Sequence, residues 1–445
     1  MKLSVKANQQ LVGWLSFDNQ SGLFAFGYSP GWLAQDVRFP LSPSLPLDHP
    51  TPSAEKHSEA VRRFFQNLLP EGQALDDAAQ AIKVSKANLM GLLVALGQET
   101  AGALVISLPD GHTSQSGYQP NKRLLIREEL SARIRSRPDE AFTVWDGKVR
   151  LSIAGHQDKI AVLEENNQWY LVDGEGLAST HIIKPEPLSK RLQHMTSNEL
   201  ACMLLAKSVG LPVAEVRLER IPEPIVLIRR FDRAVRSNRV HRLHCIDGCQ
   251  ALGLGVAMKY ERPYGDGRDV QHIRDGVSLP KLFALLDQNS AKPAVDRLVL
   301  LRWAIFQVLI GNTDAHGKNL SFFIAPGGLG IAPAYDLVCC LIYTGERISD
   351  TLAMAIGDNF EATALTAYDW AQLASECRLN PKLISRELNH LANTIVKTWP
   401  VLLPQLLQVG TEKHTLAAME TIFMQQCQRA QSIAPDIPKI PKDIV

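Results

Sequence analysis

The sequence has 445 residues, 45% of them hydrophobic and 21% charged, which is the balance of a soluble globular protein with room for about three domain-sized units and sizeable cores. Lys and Arg total 47 against 46 Asp and Glu, a formal net charge of +1. That excludes a globally basic nucleic-acid or membrane-surface footprint and leaves only local patches open. In chain order, Leu3, Val5 and Ala7 alternate with polar neighbours. Leu11-Val12-Gly13-Trp14-Leu15 and Leu23-Phe24-Ala25-Phe26 flank the turn Asp18-Asn19-Gln20-Ser21-Gly22, which predicts a meander of hairpins. Residues 40–52 are rich in Pro and Ser and are predicted to be a loop. From Ser53, a capping residue, a helix is expected with Ala60, Phe64, Leu68 and Leu69 on one face, ended by Pro70-Glu71-Gly72. Further helices are expected near 74–83, 87–97 and 127–134.

From about residue 140 the pattern is strand-like, in the runs 149–153, 159–163, 169–172 and 180–184. A helix follows over 197–209, stopped by Gly210, and then strands near 214–218 and 225–229. Beyond about 280 the chain is mostly helical, over 294–309, 368–377, 382–397 and 413–431, with a short strand at 321–324. No internal repeat interrupts this order. The seven cysteines, Cys202, Cys245, Cys249, Cys339, Cys340, Cys377 and Cys427, are odd in number and irregularly spaced, which predicts reduced thiols and a cytoplasmic address. No leader pattern and no apolar run of about 18 residues is present, so an intracellular protein with no membrane span is expected.

The chemistry concentrates in Ile310-Gly311-Asn312-Thr313-Asp314-Ala315-His316-Gly317-Lys318-Asn319, expected to be a tight polar loop between a buried helix and a short strand. Asp314 and Asn319 have the Asp-x4-Asn spacing of a kinase catalytic loop, in which the Asp accepts the substrate hydroxyl proton and the Asn holds magnesium. Asp336, in Tyr335-Asp336-Leu337, supplies a second carboxylate, and magnesium is satisfied by one or two carboxylates plus phosphate oxygens. Upstream, Lys184 ends an apolar strand and Glu199 opens the next helix, the order of a phosphate-contacting Lys and its ionic partner. Ser152-Ile153-Ala154-Gly155-His156-Gln157-Asp158-Lys159 lies between two strands, where a turn can turn backbone N–H groups toward phosphates. Each piece alone is equally a cap or a turn. Their order along one chain is what points to phosphoryl transfer.

With these segments the sequence resembles the HipA kinases of bacterial toxin–antitoxin modules. The resemblance rests also on Leu41-Ser42-Pro43-Ser44-Leu45-Pro46-Leu47, Phe64-Phe65-Gln66-Asn67-Leu68-Leu69-Pro70, Thr180-His181-Ile182-Ile183-Lys184, Arg230-Phe231-Asp232-Arg233, Cys249-Gln250-Ala251-Leu252-Gly253 and Lys259-Tyr260-Glu261. It implies an α+β, two-lobed protein-kinase-like (HipA/PI3-4-kinase-like) fold: a small β-rich N-terminal subdomain over 1–139, an N-lobe core over 140–235, and a mostly helical C-terminal lobe over 236–445. It implies ATP and Mg2+ as cofactors, Asp314 as base, Asn319 and Asp336 as metal ligands, and Glu199 as ion-pair support. The ATP site it implies comprises Lys184, the phosphate loop Ile153, Ala154, Gly155, His156 and Gln157, the hinge Arg229, Phe231 and Asp232 with Gln250, and His316, Lys318 and Tyr335. Autophosphorylation is implied at Ser152, adding about −1.5 to −2 charge beside an ATP site. Arg229, His156 and Asp158 depart from the family pattern, which has Glu, Ala and Glu there. The implied partners are a HipB-like antitoxin dimer, operator DNA reached mainly through it, and glutamyl-tRNA synthetase as protein substrate. The implied address is the bacterial cytoplasm, with nucleoid association when bound to antitoxin. A catalytically silent co-repressor and a small-molecule phosphotransferase are the rival readings.

Four other signals are expected to be structural. Gly27-Tyr28-Ser29-Pro30-Gly31 matches a nucleophile elbow, but Pro30 lacks the N–H an oxyanion needs. His241, His244, Cys245 and Cys249 lack paired zinc-knuckle spacing. Gly265-Asp266-Gly267 and Gly327-Gly328-Leu329-Gly330 lack a P-loop context. The basic run Arg229, Arg230, Arg233, Arg236, Arg239 and Arg242 is expected to be a solvated face, with a nucleic-acid or acidic-partner contact as the sharper alternative.

Overall fold

The computed structural model describes residues 1–48, 53–109, 121–150, 157–174, 176–237, 239–343 and 349–445. The chain forms two compact units. The first comprises Met1–Pro185, Glu219–Val256 and Phe322–Gly328; the second comprises Glu186–Leu218, Ala257–Ser321 and Leu329–Val445.

The first unit opens with the expected meander. Strands Lys2–Ala7, Gln10–Phe17 and Phe24–Tyr28 pair antiparallel, and Leu3, Val5 and Leu15 are fully buried on one face, as period-2 alternation requires; Val12, an odd number of residues from Leu15, is buried where the register shifts between Val5 and Lys6. A fourth strand, Leu104–Ser107, closes the sheet by pairing with Ser4–Ala7. The Gly-Tyr-Ser-Pro-Gly segment is a turn: Ser29 Oγ accepts from Trp32 N–H at 3.1 Å and donates to Leu11 O at 2.8 Å. Helix Ala54–Gln66 is capped by Ser53, as expected, but ends before Leu68 and Leu69. The reason is Asn67, whose side-chain amide donates to Arg63 O and to Leu254 O and so satisfies the helix end early. The buried face is therefore Val61, Phe64 and Phe65.

A second, six-stranded sheet has the order Val216–Arg220, Pro224–Arg229, His181–Pro185, Ile160–Glu165, Gln168–Asp173, Asn121–Leu125. Its core joins Ile160, Val162, Trp169, Leu171, Ile183, Ile225 and Leu227 to Leu130 and Ile134 of helix Arg127–Arg135. The edge strand Asn121–Leu125 was not expected, because Lys122 and Arg123 give it no apolar alternation; charge is what an exposed edge needs. Of the strand expected over 149–153, Lys148–Val149 pairs with Val144–Trp145, and residues 151–153 lie outside the described residues.

The second unit is mostly helical. Helices Met195–Ser208, Pro293–Leu309, Pro381–Gln408 and Lys413–Ile433 pack on one another, with Leu279–Asn289 against Pro293–Leu309. Met195–Ser208 starts before the expected Ser197 because Glu186, nine residues upstream, accepts from the N–H groups of Met195 and Thr196. Pro381–Gln408 runs beyond the expected stop at 397, through Pro400 and Pro404. Trp399, Leu402 and Leu406 are buried at helical spacing, and Trp399 stacks edge-on against Phe423. Burying three such side chains at about 1.5–3 kcal/mol each is of the same size as two proline breaks at about 3 kcal/mol each, so packing carries the helix through both. Among the described residues no helix is long and apolar enough to cross a membrane, and the seven cysteines are buried and form no disulfide.

Candidate active site

Helix Pro293–Leu309 delivers the chain into the polar loop. Gly311 turns it with φ +66°, and a Cβ there would lie 2.8 Å from Leu341 and 3.0 Å from Ile422. Asn312 is fully buried and braces the loop from inside. Its amide donates to Gln307 Oε1 at 2.8 Å, and its Oδ1 accepts from Asp314 N–H at 3.1 Å and from the Cys340 thiol at 3.2 Å. Burial pushes that thiol up to about 12, so it serves as a neutral donor. From Gly311 to Leu320 every residue is buried except Asp314. The loop thus presents a single carboxylate on a fixed backbone, which a base that must meet a foreign hydroxyl requires.

Three further contacts hold that carboxylate's backbone and side chain. His316 N–H and the Asn319 side-chain amide both donate to Asp314 O, at 2.8 and 2.9 Å. The Tyr260 hydroxyl donates to Asp314 Oδ1 at 2.6 Å. Because Asn319 Nδ2 faces a carbonyl, its Oδ1 is turned away and has no protein partner among the described residues. His316 and Lys318 are buried in the same loop. Tyr335 donates to Lys318 O at 2.7 Å and bonds Ser321 Oγ at 2.7 Å, which ties the segment carrying Asp336 to the Asp314 loop. Asp336 itself adopts φ +57°, a left-handed conformation that Asp tolerates better than most side chains and that costs energy unless its surroundings fix it. Asp314, His316, Lys318, Asn319, Tyr335 and Asp336 are therefore one assembly within the second unit. Glu199, also in this unit, is almost wholly buried in helix Met195–Ser208.

The remaining candidates lie in the first unit. Lys184 is buried in strand His181–Pro185, opposite Val226. Arg229 is exposed at the end of the neighbouring strand, opposite His181, and Phe231 packs edge-on against Phe323. Gln157 donates to Pro185 O at 3.3 Å. Ser152, Ile153, Ala154, Gly155 and His156 lie outside the described residues. Gln250 is occupied locally: with Asp247 it forms a reciprocal capping box, and its amide donates to Phe64 O.

Asp232 is the hub of a buried ion network. Its carboxylate accepts from Arg230 at 2.9 and 2.8 Å, from Arg233 at 2.9 Å and from Gly102 N–H at 2.7 Å. Glu99 completes it, accepting from Arg230, Arg233 and Arg242. Burial opposes the ionisation of Glu99, but the three guanidiniums outweigh it and hold the carboxyl at about 2. Arg230 and Arg233 likewise hold Asp232 well below the usual carboxylate range against its burial. The basic run is therefore not one solvated face. Arg230, Arg233 and Arg242 are buried, while Arg229, Arg236 and Arg239 are exposed. Strand alternation produces this, since Arg233 pairs with Arg242 on the inner face of a hairpin and Arg236 pairs with Arg239 at its tip. His244 is spent on Leu41 O at 2.9 Å and stacks on Phe39; burial pulls it down to about 4. Sequence reasoning missed Glu99, Asn312 and Tyr260 as parts of these assemblies. Tyr260 had a signal in the Lys-Tyr-Glu segment and Asn312 in the Asp314 loop itself, while Glu99 had none.

Comparison with known proteins shows the family of the chain. Residues 3–107 match the HipA N-terminal domain model, and residues 151–399 match the HipA-like C-terminal domain model. The serine/threonine-protein kinase toxin HipA of Shewanella oneidensis is 36% identical over 433 residues, 96% of each chain. Y4mE of Sinorhizobium fredii is 34% identical over 88% of this chain and 89% of its own. Among solved structures, the complex of the Shewanella oneidensis HipA and HipB with operator DNA superimposes with a TM-score of 0.85 at 34% identity, covering 99% of this chain and all of the other. With both family domains matched and a relative 36% identical over 96% of the chain, the chain belongs to the HipA family of serine/threonine-protein kinase toxins.

Proposed function

We propose that this kinase transfers the γ-phosphoryl group of ATP to a serine or threonine hydroxyl of a protein, with Asp314 as the base. The carrying observation is that Asp314 alone is exposed in a loop otherwise buried and cross-braced. Asp314 accepts the proton of the acceptor hydroxyl and orients its oxygen for in-line attack. Asn319 Oδ1 and the Asp336 carboxylate suit Mg2+, which takes few protein ligands and completes its shell with water and phosphate oxygens. When bound, Mg2+ supplies charge neutralisation on the phosphates. Lys184, with Glu199 as its support, contacts those phosphates in this reading, joined by His316 and Lys318, and residues 153–157 are the phosphate loop. Arg229 and Phe231 form the adenine hinge through their backbone. In the same reading Asp232, Gln250 and Tyr335 belong to the ATP-binding residues, with their side chains held by local hydrogen bonds.

The same reading places Ser152 as the autophosphorylation site that switches the kinase off, a HipB-like antitoxin dimer as the neutralising partner, operator DNA as bound mainly through that partner, and glutamyl-tRNA synthetase as the acceptor whose modification arrests growth. The protein works in the cytoplasm and joins the nucleoid with its antitoxin. Peptide mapping after incubation with Mg-ATP tests the core of this. One phosphate on Ser152, absent from Asp314→Ala, is expected. An unmodified wild-type chain that nonetheless binds ATP removes the autophosphorylation claim.

A further inference from the structure

We propose that Tyr260 is a positioning residue for the base: its phenol fixes Asp314 Oδ1, so that Oδ2 faces the acceptor hydroxyl. This rests on the reading of Asp314 as base. The hydroxyl lies 2.6 Å from Oδ1, the length of a strong bond from a hydroxyl to a carboxylate. Asp314 Oδ2 has no other partner among the described residues, so one oxygen is held and the other is presented.

The clamp is built before any substrate arrives. Residues 259–277 contain no regular helix or strand, yet they are pinned at every step around Tyr260. On one side Lys259 O accepts from Gly317 N–H of the catalytic loop at 2.8 Å. On the other, Glu261 N–H donates to Ala353 O, and Ala353 N–H donates to Thr313 O, again in the catalytic loop. The Glu261 carboxylate is buried, accepts from Ala355 N–H at 2.8 Å, and pairs with Arg274 at 2.5 Å. The Tyr260 ring meets His316 edge-on at 5.1 Å between centroids. Gly276 permits the approach: a Cβ there would lie 1.7 Å from Tyr260 O. The phenol thus reaches Asp314 from a segment stitched to both ends of the loop it serves. Positioning of this kind acts on the rate of the chemical step, because a carboxylate free to rotate spends less time aimed at the proton it must accept.

The test is phosphate incorporation from radiolabelled ATP into the dephosphorylated full chain, with rates normalised to ATP-binding-competent protein so that partial unfolding does not enter. Tyr260→Phe keeps the ring on His316 and removes only the hydroxyl. The maximal rate is expected to fall about tenfold, with the half-saturating ATP concentration unchanged. In the Asp314→Asn background, adding Tyr260→Phe is expected to leave the residual rate as it is, since Tyr260 then has no base to aim. A wild-type maximal rate in Tyr260→Phe, or an equal loss in the Asp314→Asn background, overturns the inference while leaving Asp314 as base. Equal rates in wild type and Asp314→Asn overturn the parent reading instead.

Discussion

Glu99 shows how far one residue's role can lie from its sequence signal. Nothing around it in Leu96-Gly97-Gln98-Glu99-Thr100 marks a functional carboxylate, yet it meets three buried guanidiniums. Removing one member of such a network leaves charge buried without compensation, so Asp232→Ala is expected to cost about 3–5 kcal/mol, read as a lowered urea midpoint. The pH dependence follows from two groups. His244 titrates at about 4 in the fold against an ordinary 6.5, and Glu99 at about 2 against 4.5. Both values are depressed, so the unfolded chain binds protons first. The stability from His244 is complete above 6.5 and is lost as pH falls through 4; that from Glu99 is complete above 4.5 and is lost toward 2. Urea midpoints at about pH 7, 5 and 3 are expected to fall in that order, and a midpoint constant from about pH 7 to 3 contradicts this account of both sites.

At the scale of the element, the long helix Pro381–Gln408 is informative because its prolines should have ended it. Two substitutions separate propensity from packing. Trp399→Ala empties a fully buried site and is expected to cost about 3–5 kcal/mol. Pro400→Ala, at an exposed position, is expected to raise stability by about 2 kcal/mol, the relief of a helix break of about 3 kcal/mol less the roughly 1 kcal/mol gained by a more flexible unfolded chain. Thermal unfolding of both variants checks the contrast. The catalytic loop behaves in the opposite way. Its conformation is legible locally, in Gly311 for the left-handed turn and in the Asp-x4-Asn spacing, while its bracing by Tyr260 comes from residues 54 positions away.

For the whole molecule, nucleotide binding links to stability by mass action. Under the proposed function, Mg-ATP at one hundred times its dissociation constant is expected to stabilise the folded chain by about 2.7 kcal/mol, seen as a raised melting temperature. Chelating Mg2+ with EDTA, or replacing Asp336 by Asn, is expected to reduce that shift. An equal shift with and without metal contradicts the assignment of Asn319 and Asp336.

The sequence by itself determined the kinase-like order of motifs, the β-rich start and helical end, the Asp314 loop, and the reading of Ser29 and His244 as structural. Each of these follows from short-range patterns: period-2 or helical burial, a missing proline N–H, or a fixed spacing on one loop. Only the tertiary structure decided that Leu104–Ser107 closes the first sheet, that Asn67 ends its helix early, that half of an apparently solvated basic run is an internal ion network, and that Tyr260 grips Asp314. These depend on partners 54 to 187 residues apart or on which strand face turns inward. A single chain's local pattern carries no term for either, because long-range pairing is set by the summed burial of the whole fold rather than by any one segment.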